Sequence, residues 1–244
     1  MRLPTPESLA RIVLFAGHYG SGKTNVALAF ARWLRRNPPE GAPPPSVTVA
    51  DLDIVNPYFR TKDSAAALAA EGIGLVVSEY ANSNVDFPAL PKEIYALVAS
   101  GGRVVIDVGG DDRGALALGR YADDIRASGD YAMLGVVNAF RPLTRTPADA
   151  VAVLREIEAA CGIPFTGIVN NTNLGPETAL SDVLASVPYA KAVADTMGVP
   201  TVFTSCAARL APDLAGSFPE FPAQGSIFPV EIQKMYYHYD EGAS

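Results

Sequence analysis

Cysteine and histidine are scarce in this chain of 244 residues, which contains two of each. Cys161 and Cys206 lie far apart in the sequence, and no C-x-x-C pair occurs. This scarcity argues against a zinc or iron–sulfur site built within one chain, because such sites need several closely spaced ligands. We expect both cysteines to be plain buried side chains, since free cysteine is among the most buried residue types.

Long apolar segments and an excess of positive charge are also missing. No apolar run reaches about 18 residues, so no transmembrane helix is predicted, and the N-terminal residues lack the ordered regions of a signal peptide. The sequence therefore predicts a cytoplasmic protein with no membrane partner. The net charge of −7 argues against a generally basic surface, so no nucleic-acid partner is predicted. The densest basic cluster, residues 32–36, ends a predicted helix, where cations are favoured.

Short Val/Ile-rich runs alternate with helical patterns along the chain. With 49% hydrophobic residues, the length suits one α/β domain spanning residues 1–244. The pattern predicts a mostly parallel sheet with helices on both faces, in three α/β/α layers. Residues 211–244 are expected to form an irregular C-terminal segment, in which the Pro- and Phe-rich stretch 211–229 is a lid or contact surface. Strands are predicted at 11–17, 46–53, 73–78, 102–110, 131–138, 165–171 and 200–205, and helices at 23–36, 63–72, 88–100, 147–161, 177–185 and 190–197.

A glycine-rich segment follows the first predicted strand and opens the first helix. Gly17, Gly22, Lys23 and Thr24 fit the pattern G-x-x-x-x-G-K-[ST]. Such a turn points backbone N–H groups at phosphate oxygens, the lysine bridges the β- and γ-phosphates, and the threonine hydroxyl ligates Mg²⁺. The alternative is a glycine turn with a surface lysine. The predicted nucleotide-binding residues of this segment are Gly17, His18, Tyr19, Gly20, Ser21, Gly22, Lys23, Thr24 and Asn25.

Carboxylates stand where two further strands end. Asp51 and Asp53 close the second strand, and we expect one to support Mg²⁺ through water and the other to face an attacking water. Capping or turn formation is the alternative for this pair. Asp107 ends a buried strand and is similar to a Walker B aspartate, which acts on Mg²⁺. The predicted metal ligands are thus Thr24, Asp51 and Asp107.

The segment after Asp107 begins with two glycines. Gly109 and Gly110 would let the chain bend close to a γ-phosphate. The charged residues 111–120 that follow are either a nucleotide-sensing switch or a charged helix start, and the sequence leaves both interpretations open.

Residues 11–205, with these three blocks, resemble the MinD/ParA branch of P-loop ATPases, also described as the CobQ/CobB/MinD/ParA nucleotide-binding domain. The resemblance implies a Mg²⁺-dependent, slow ATPase that acts as a nucleotide switch for an unidentified client protein. It implies that Lys23 and Asp53 are catalytic, with Asp53 orienting the hydrolytic water and Asp51 supporting Mg²⁺. The implied adenine contacts are Asn170 or Asn171 in "GIVNN", and Pro188 and Tyr189 in a proline-led loop beside the base.

The loop departs from that family at its second position. The family pattern is G-K-G-G-x-G-K-[ST], and here His18 takes the place of the early lysine, which often reaches the phosphates of a second copy in an ATP-dependent dimer. Histidine is shorter and need not be charged at neutral pH. We therefore expect this contact between copies to be weak or absent in any nucleotide-dependent homodimer. The alternative is that His18 only packs or caps the loop. Tyr19 replaces a glycine and can stack on the site or cover it.

The base and the client are less strongly specified. Residues 170–173, "NNTN", lack the lysine and aspartate of the N/T-K-x-D motif that reads guanine, which favours ATP. Two further functions are compatible with the motifs. One is a small-molecule kinase or ATP-dependent ligase of the dethiobiotin synthetase-like type, with residues 79–88 and 211–229 lining the substrate pocket. The other is an assembly factor for a cofactor-dependent enzyme or metalloenzyme.

Overall fold

Eight parallel strands form one sheet in the part of the chain that the computed structural model describes, which comprises residues 9–52, 65–77, 93–110, 112–217 and 226–231. The strand order is β3-β2-β4-β1-β5-β6-β7-β8, so the first strand lies in the interior of the sheet between β4 and β5. The strands are β1 Ile12–Ala16, β2 Val47–Leu52, β3 Ile73–Val77, β4 Arg103–Val108, β5 Tyr131–Val137, β6 Gly167–Asn170, β7 Thr201–Ala207 and β8 Ser226–Val230.

Helices connect the strands and cover both faces of the sheet. The predicted bounds of the helices at 23–36 and 147–161 are confirmed. The second of these has strong local signals: Thr146 forms a capping box with Asp149, Pro147 is the first helical residue, and Gly162 ends the helix with φ 70°. The helices are α1 Lys23–Arg36, α2 Ala65–Ala70, α3 Glu93–Ala99, α4 Asp112–Gly119, α5 Ala122–Ala127, α6 Pro147–Cys161, α7 Leu180–Met197 and α8 Ala211–Ser217.

Two hydrophobic cores lie on opposite faces of the sheet, because successive side chains of a strand point to opposite faces. Val13 and Phe15 of β1 pack in the core that contains α1 and α2. Ile12 and Leu14 pack in the other core, which contains side chains from α3 to α7. This arrangement confirms the three-layer α/β/α prediction and places the beginning of α1 at the carboxyl end of a buried strand.

Two local predictions were wrong. The helices expected at 177–185 and 190–197 are one helix, α7, which continues through Pro188. Proline removes one helical hydrogen bond, but Val187 and Ala190 on either side are fully buried, and this packing outweighs the local preference.

The second error concerns residues 211–217 and 226–230 of the C-terminal segment expected to be irregular. It contains α8 and an edge strand, β8. Phe228 is buried with its ring centroid 4.9 Å from that of Phe203. Pro229 is tolerated because β8 lies at the edge of the sheet.

Both cysteines are buried, as the sequence predicts. Burial raises the pKa of the Cys206 thiol to about 11, and it also raises the pKa of Cys161. Both side chains are therefore neutral thiols near pH 7.

No helix among the described residues is long and apolar enough to cross a bilayer.

The basic residues at the end of α1 have a structural role. Arg32 and Arg36 both pair with Glu71, at N–O distances of 2.8 and 3.0 Å, so the cluster holds the turn between α2 and β3 against α1. A further arginine, Arg11, fixes the turn after α3. Its guanidinium donates to the carbonyl oxygens of Val98 and Ser100, both at 2.6 Å.

We predict that Arg11→Ala destabilises the fold. It leaves carbonyl groups at the end of α3 without their charged donor, and a hydrogen bond of this kind contributes about 1.5–3 kcal/mol. For a chain of this length, Tm should fall by roughly 3–12 °C. Arg126→Ala is the control, because the Arg126–Asp123 pair is exposed and should contribute little. Equal thermal unfolding curves for the two variants would contradict the role assigned to Arg11.

Candidate functional site

The segment between β1 and α1 has the strand–loop–helix arrangement that a phosphate-binding loop requires. Gly22 precedes the helix with φ 85°, a left-handed conformation that favours glycine. Lys23 and Thr24 begin α1 and are only 4% and 9% exposed. The loop closes on itself through a hydrogen bond from the Ser21 N–H to the His18 carbonyl, at 3.0 Å. The first N–H groups of α1 therefore emerge beside the loop, where an anion is favoured.

Neighbouring strands leave no room for side chains at two of the loop glycines. A Cβ atom on Gly17 would collide with the carbonyl oxygen of Val136 in β5. A Cβ atom on Gly22 would collide with the side-chain amide of Asn171, which follows β6. The loop pattern thus reflects packing against β5 and β6 as well as its own backbone conformation.

Two of the predicted acidic residues are direct register neighbours. Asp51 of β2 lies opposite Asp107 of β4 in the parallel ladder. Both continue the alternation that places Val49 and Val105 in the core covered by α1. Their side chains therefore lie on the face of the sheet where α1 begins, and Asp107 is only 1% exposed.

The second aspartate of this predicted segment, Asp53, follows β2. Asp53 lies outside the described residues, and β2 ends at Leu52. Its catalytic role stays a prediction.

No cluster of three or more His, Cys, Asp or Glu side chains that could hold a metal ion occurs in the described ranges. The predicted set of Thr24, Asp51 and Asp107 is of a different kind, because it combines two carboxylates with a hydroxyl.

The chain that leaves β4 passes directly over the loop. A Cβ atom on Gly110 would lie 2.7 Å from the Tyr19 backbone nitrogen and 3.0 Å from Lys23 Nζ. Only a residue without a side chain allows this approach. The chain thus comes close to the loop lysine at Gly110, and the expected approach of Gly109 and Gly110 to a γ-phosphate stays a prediction. Residues 111–120 were interpreted either as a nucleotide-sensing switch or as a charged helix start. Residues 112–119 form a helix.

The two asparagines after β6 have protein partners. Asn171 Nδ2 donates to the Ser21 carbonyl at 2.7 Å, and Asn171 Oδ1 accepts from the Ser205 hydroxyl. Asn170 Nδ2 donates to Ser186 Oγ at 2.8 Å. Asn171 therefore braces the loop, and Asn170 joins β6 to α7. A direct contact of either residue with adenine stays a prediction.

Residues 188 and 189, expected in a proline-led loop beside the base, do not form a loop. Pro188 and Tyr189 lie inside α7. The Tyr189 hydroxyl donates to the Thr144 carbonyl at 2.6 Å, and burial raises the pKa of this phenol above its ordinary value. Tyr189 thus fixes the loop after β5 to α7, and its contact with a base has no support from this geometry.

The ring of His18 is turned back onto its own loop. Nδ1 lies 2.7 Å from the Tyr19 carbonyl oxygen, and because a carbonyl only accepts, Nδ1 carries the hydrogen. Nε2 is the remaining polar atom of the ring. Tyr19 itself is 57% exposed and presents a large apolar surface at the mouth of the site.

Three residues at the site were missed by the sequence interpretation. Ser186 and Ser205 bind the asparagines after β6 from α7 and β7, and Arg141 lies against Gly20 from the loop after β5. Ser205 could have been found, since it ends a predicted strand at the same edge of the sheet. No local sequence signal marks Ser186 or Arg141.

Solved structures with a similar fold are known, although no family model and no curated protein matches the chain. Cell division protein FtsY from Thermotoga maritima is 18% identical, with 84% of this chain and 64% of that chain covered and a TM-score of 0.50. Chloroplast FtsY from Physcomitrella patens is 17% identical, with 83% and 62% covered and a TM-score of 0.50. The chain has the P-loop NTPase fold.

These similarities concern the fold alone. The chain spans a little over six-tenths of the length of the two FtsY structures. They support the P-loop NTPase part of the resemblance seen in the sequence, but they do not support the MinD/ParA branch in particular.

We predict that Gly22→Ala destabilises the protein more than Gly162→Ala does. Both glycines have a left-handed φ, of 85° and 70°, so both variants should lose about 1–2 kcal/mol of unfolding free energy. A Cβ atom at Gly162 meets nothing within 4 Å, whereas one at Gly22 displaces the Asn171 amide from the Ser21 carbonyl. The displaced buried groups should cost about 1–3 kcal/mol more. Urea unfolding measures the difference, and equal losses would show that Asn171 moves aside freely.

Proposed function

We propose that this protein binds a nucleoside triphosphate with Mg²⁺ and hydrolyses it slowly, as a nucleotide switch for a protein client. The observation that carries the proposal is a convergence on one face of the sheet. Lys23 and Thr24 begin α1 there, and Asp51 and Asp107 meet there in register. A backbone cradle, a lysine, a hydroxyl and two carboxylates form the donor set for a phosphate chain and its magnesium ion.

The loop residues suit a phosphate chain in charge as well as in shape. Backbone N–H groups from residue 17 to Thr24 and the ammonium group of Lys23 would hold the phosphate oxygens. Thr24, Asp51 and Asp107 are the residues that would hold Mg²⁺, directly or through its waters. When bound, Mg²⁺ neutralises charge that develops on the phosphoryl oxygens. We assign alignment of the attacking water to Asp53, which follows β2.

The base is proposed to be adenine. A side-chain carboxylate is the group that reads guanine in the N/T-K-x-D motif, and the segment after β6 offers Asn171, Thr172 and Asn173 and then an exposed leucine, Leu174. Guanine is the alternative base, because backbone carbonyl groups can accept hydrogen bonds from either base. GTP is therefore included in the melting experiment below.

We predict that Mg²⁺ with ATP raises the Tm of the wild type and that Lys23→Ala loses most of this shift. At a ligand concentration about 100-fold above Kd, binding adds about 2.7 kcal/mol. This corresponds to a shift of roughly 5–11 °C for a chain of this length. Lys191→Ala is the matched control, because Lys191 lies on α7 and pairs with Asp195.

The same melting experiment separates the remaining possibilities. Each Tm is compared with that of the same variant without nucleotide, since Lys23 is buried and its removal can lower stability by itself. A shift with GTP alone would replace adenine by guanine and keep the site. The absence of a shift with ATP, ADP and GTP would overturn the proposed function.

We propose further that any nucleotide-dependent homodimer depends little on His18. The His18 ring donates to the Tyr19 carbonyl of its own loop. An imidazole held in this way is poorly placed to take the part that the early lysine plays in the resembled family. The exposed side chains near the mouth of the site, Tyr19, Phe140, Leu143 and Leu174, offer apolar surface to a second copy or to a client.

We predict that His18→Ala leaves ATP-dependent association unchanged and that His18→Lys strengthens it. Lysine restores a longer, fully charged side chain at the second loop position. Analytical ultracentrifugation with Mg²⁺ and a non-hydrolysable ATP analogue measures the association. Loss of a wild-type dimer in His18→Ala would show that the imidazole does reach across the interface.

A further inference from the structure

The loop between β5 and α6 carries an arginine to the rim of the phosphate loop. A Cβ atom built on Gly20 would lie 3.5 Å from Arg141 Nε, 3.7 Å from Cδ and 3.8 Å from Cζ. A methyl group at residue 20 would therefore be in van der Waals contact with Arg141, so the Arg141 side chain lies beside the loop at Gly20. This position places a guanidinium group beside the backbone that is proposed to hold phosphates.

Hydrogen bonds hold the backbone of this arginine in place. The Arg141 N–H donates to the Asn138 carbonyl at 3.2 Å, and the Arg141 carbonyl accepts from the Thr144 N–H at 3.1 Å. The Thr144 hydroxyl also donates to the Asn138 carbonyl at 2.9 Å. Tyr189 of α7 binds the Thr144 carbonyl, as described above. A rigid base of this kind means that only the side chain has to move to meet a ligand.

Arg141 is exposed, and the described residues offer its side chain no ion pair or hydrogen bond. Some other arginines of the described ranges do have such partners. Arg32 pairs with Glu71, and Arg209 donates to the carbonyls of Pro176 and Thr178. Arg141 thus keeps its charge and its donors available at the edge of a site suited to an anion.

The arginine lies on the flank of the loop opposite the lysine. Strand β1 stands between β4 and β5. Gly110, after β4, approaches Lys23 Nζ and the Tyr19 backbone on one flank. Arg141 follows β5 and lies beside Gly20 on the other flank. A phosphate chain in the loop would therefore have the lysine on one side and the arginine on the other.

We propose that Arg141 contacts the phosphates of the nucleotide bound by its own chain. This inference rests on the proposed function, since it assigns a further binding residue to the same site. The guanidinium is always charged and presents forked N–H donors that match phosphate oxygens. On binding, the side chain turns from its position against Gly20 and donates to oxygens on the β5 flank of the loop.

The test compares Arg141→Ala and Arg141→Lys with the control Arg145→Ala. Arg145 is exposed four residues further along the same loop. Titration calorimetry gives Kd for Mg²⁺–ATP and Mg²⁺–ADP, and steady-state hydrolysis gives kcat and KM. Loss of charge-assisted hydrogen bonds should weaken ATP binding by about 10- to 100-fold in Arg141→Ala. Arg141→Lys should recover part of the loss, and Arg145→Ala should bind like the wild type.

Three outcomes would overturn the proposal, and they are distinguishable from failure of the proposed function. Wild-type Kd, kcat and KM in Arg141→Ala would remove the arginine from the site while leaving nucleotide binding intact. Equal losses of ATP affinity in Arg141→Ala and Arg145→Ala would show that the effect comes from general surface charge and not from a contact made by Arg141. Restored hydrolysis on mixing Arg141→Ala with Lys23→Ala would show that the arginine serves a second copy. A wild type that binds no nucleotide would instead overturn the function itself.

Discussion

The hydrogen bond from Asn171 Nδ2 to the Ser21 carbonyl is the interaction on which the arrangement of the site depends. It joins the end of β6 to the loop after β1, two strands away in the sheet. The Ser205 hydroxyl of β7 fixes the same amide from the other side. Because the amide lies against Gly22, the loop can enter α1 only through a residue without a side chain. The glycine of the motif and the asparagine after β6 therefore form one structural unit, although they are about 150 residues apart in the chain.

The rest of the site is built around this anchored loop by the ends of neighbouring strands. β4 supplies Asp107 and then Gly110, which passes over Lys23. β5 supplies the rigid loop that carries Arg141, and β2 supplies Asp51 in register with Asp107. In a parallel sheet these carboxyl ends meet at one edge, so residues distant in sequence share one anion-binding region. The acidic net charge of the chain does not oppose this, because the local charges and backbone dipoles at the site determine what binds there.

Much of the fold could be predicted because its signals are local. The bounds of α1 follow from the loop motif, and those of α6 from Thr146, Pro147 and Gly162. The errors arose where tertiary packing decides. Pro188 is carried through α7 by buried neighbours, and β8 forms because Phe228 finds a place beside Phe203. The loop, Asp51 and Asp107 were identifiable by residue type and position. The bracing role of Asn171 and the position of Arg141 beside Gly20 were not, since both depend on which strands are neighbours.

The distribution of positive charge at the loop leads to a consequence for assembly. In the resembled family, a lysine at the second loop position is shared between two copies, so that nucleotide binding and association support each other. Here His18 donates to its own loop, while Arg141 offers a guanidinium from the same chain on the flank opposite Lys23. A site that obtains both cations from one chain neutralises the phosphates without a second copy. Nucleotide binding would then be coupled less to dimerisation than to strands β2 and β4, whose Asp51 and Asp107 carboxylates share the α1 face of the sheet. A client that binds near the ends of β2 and β4 would then have an affinity that depends on whether a single copy holds nucleotide.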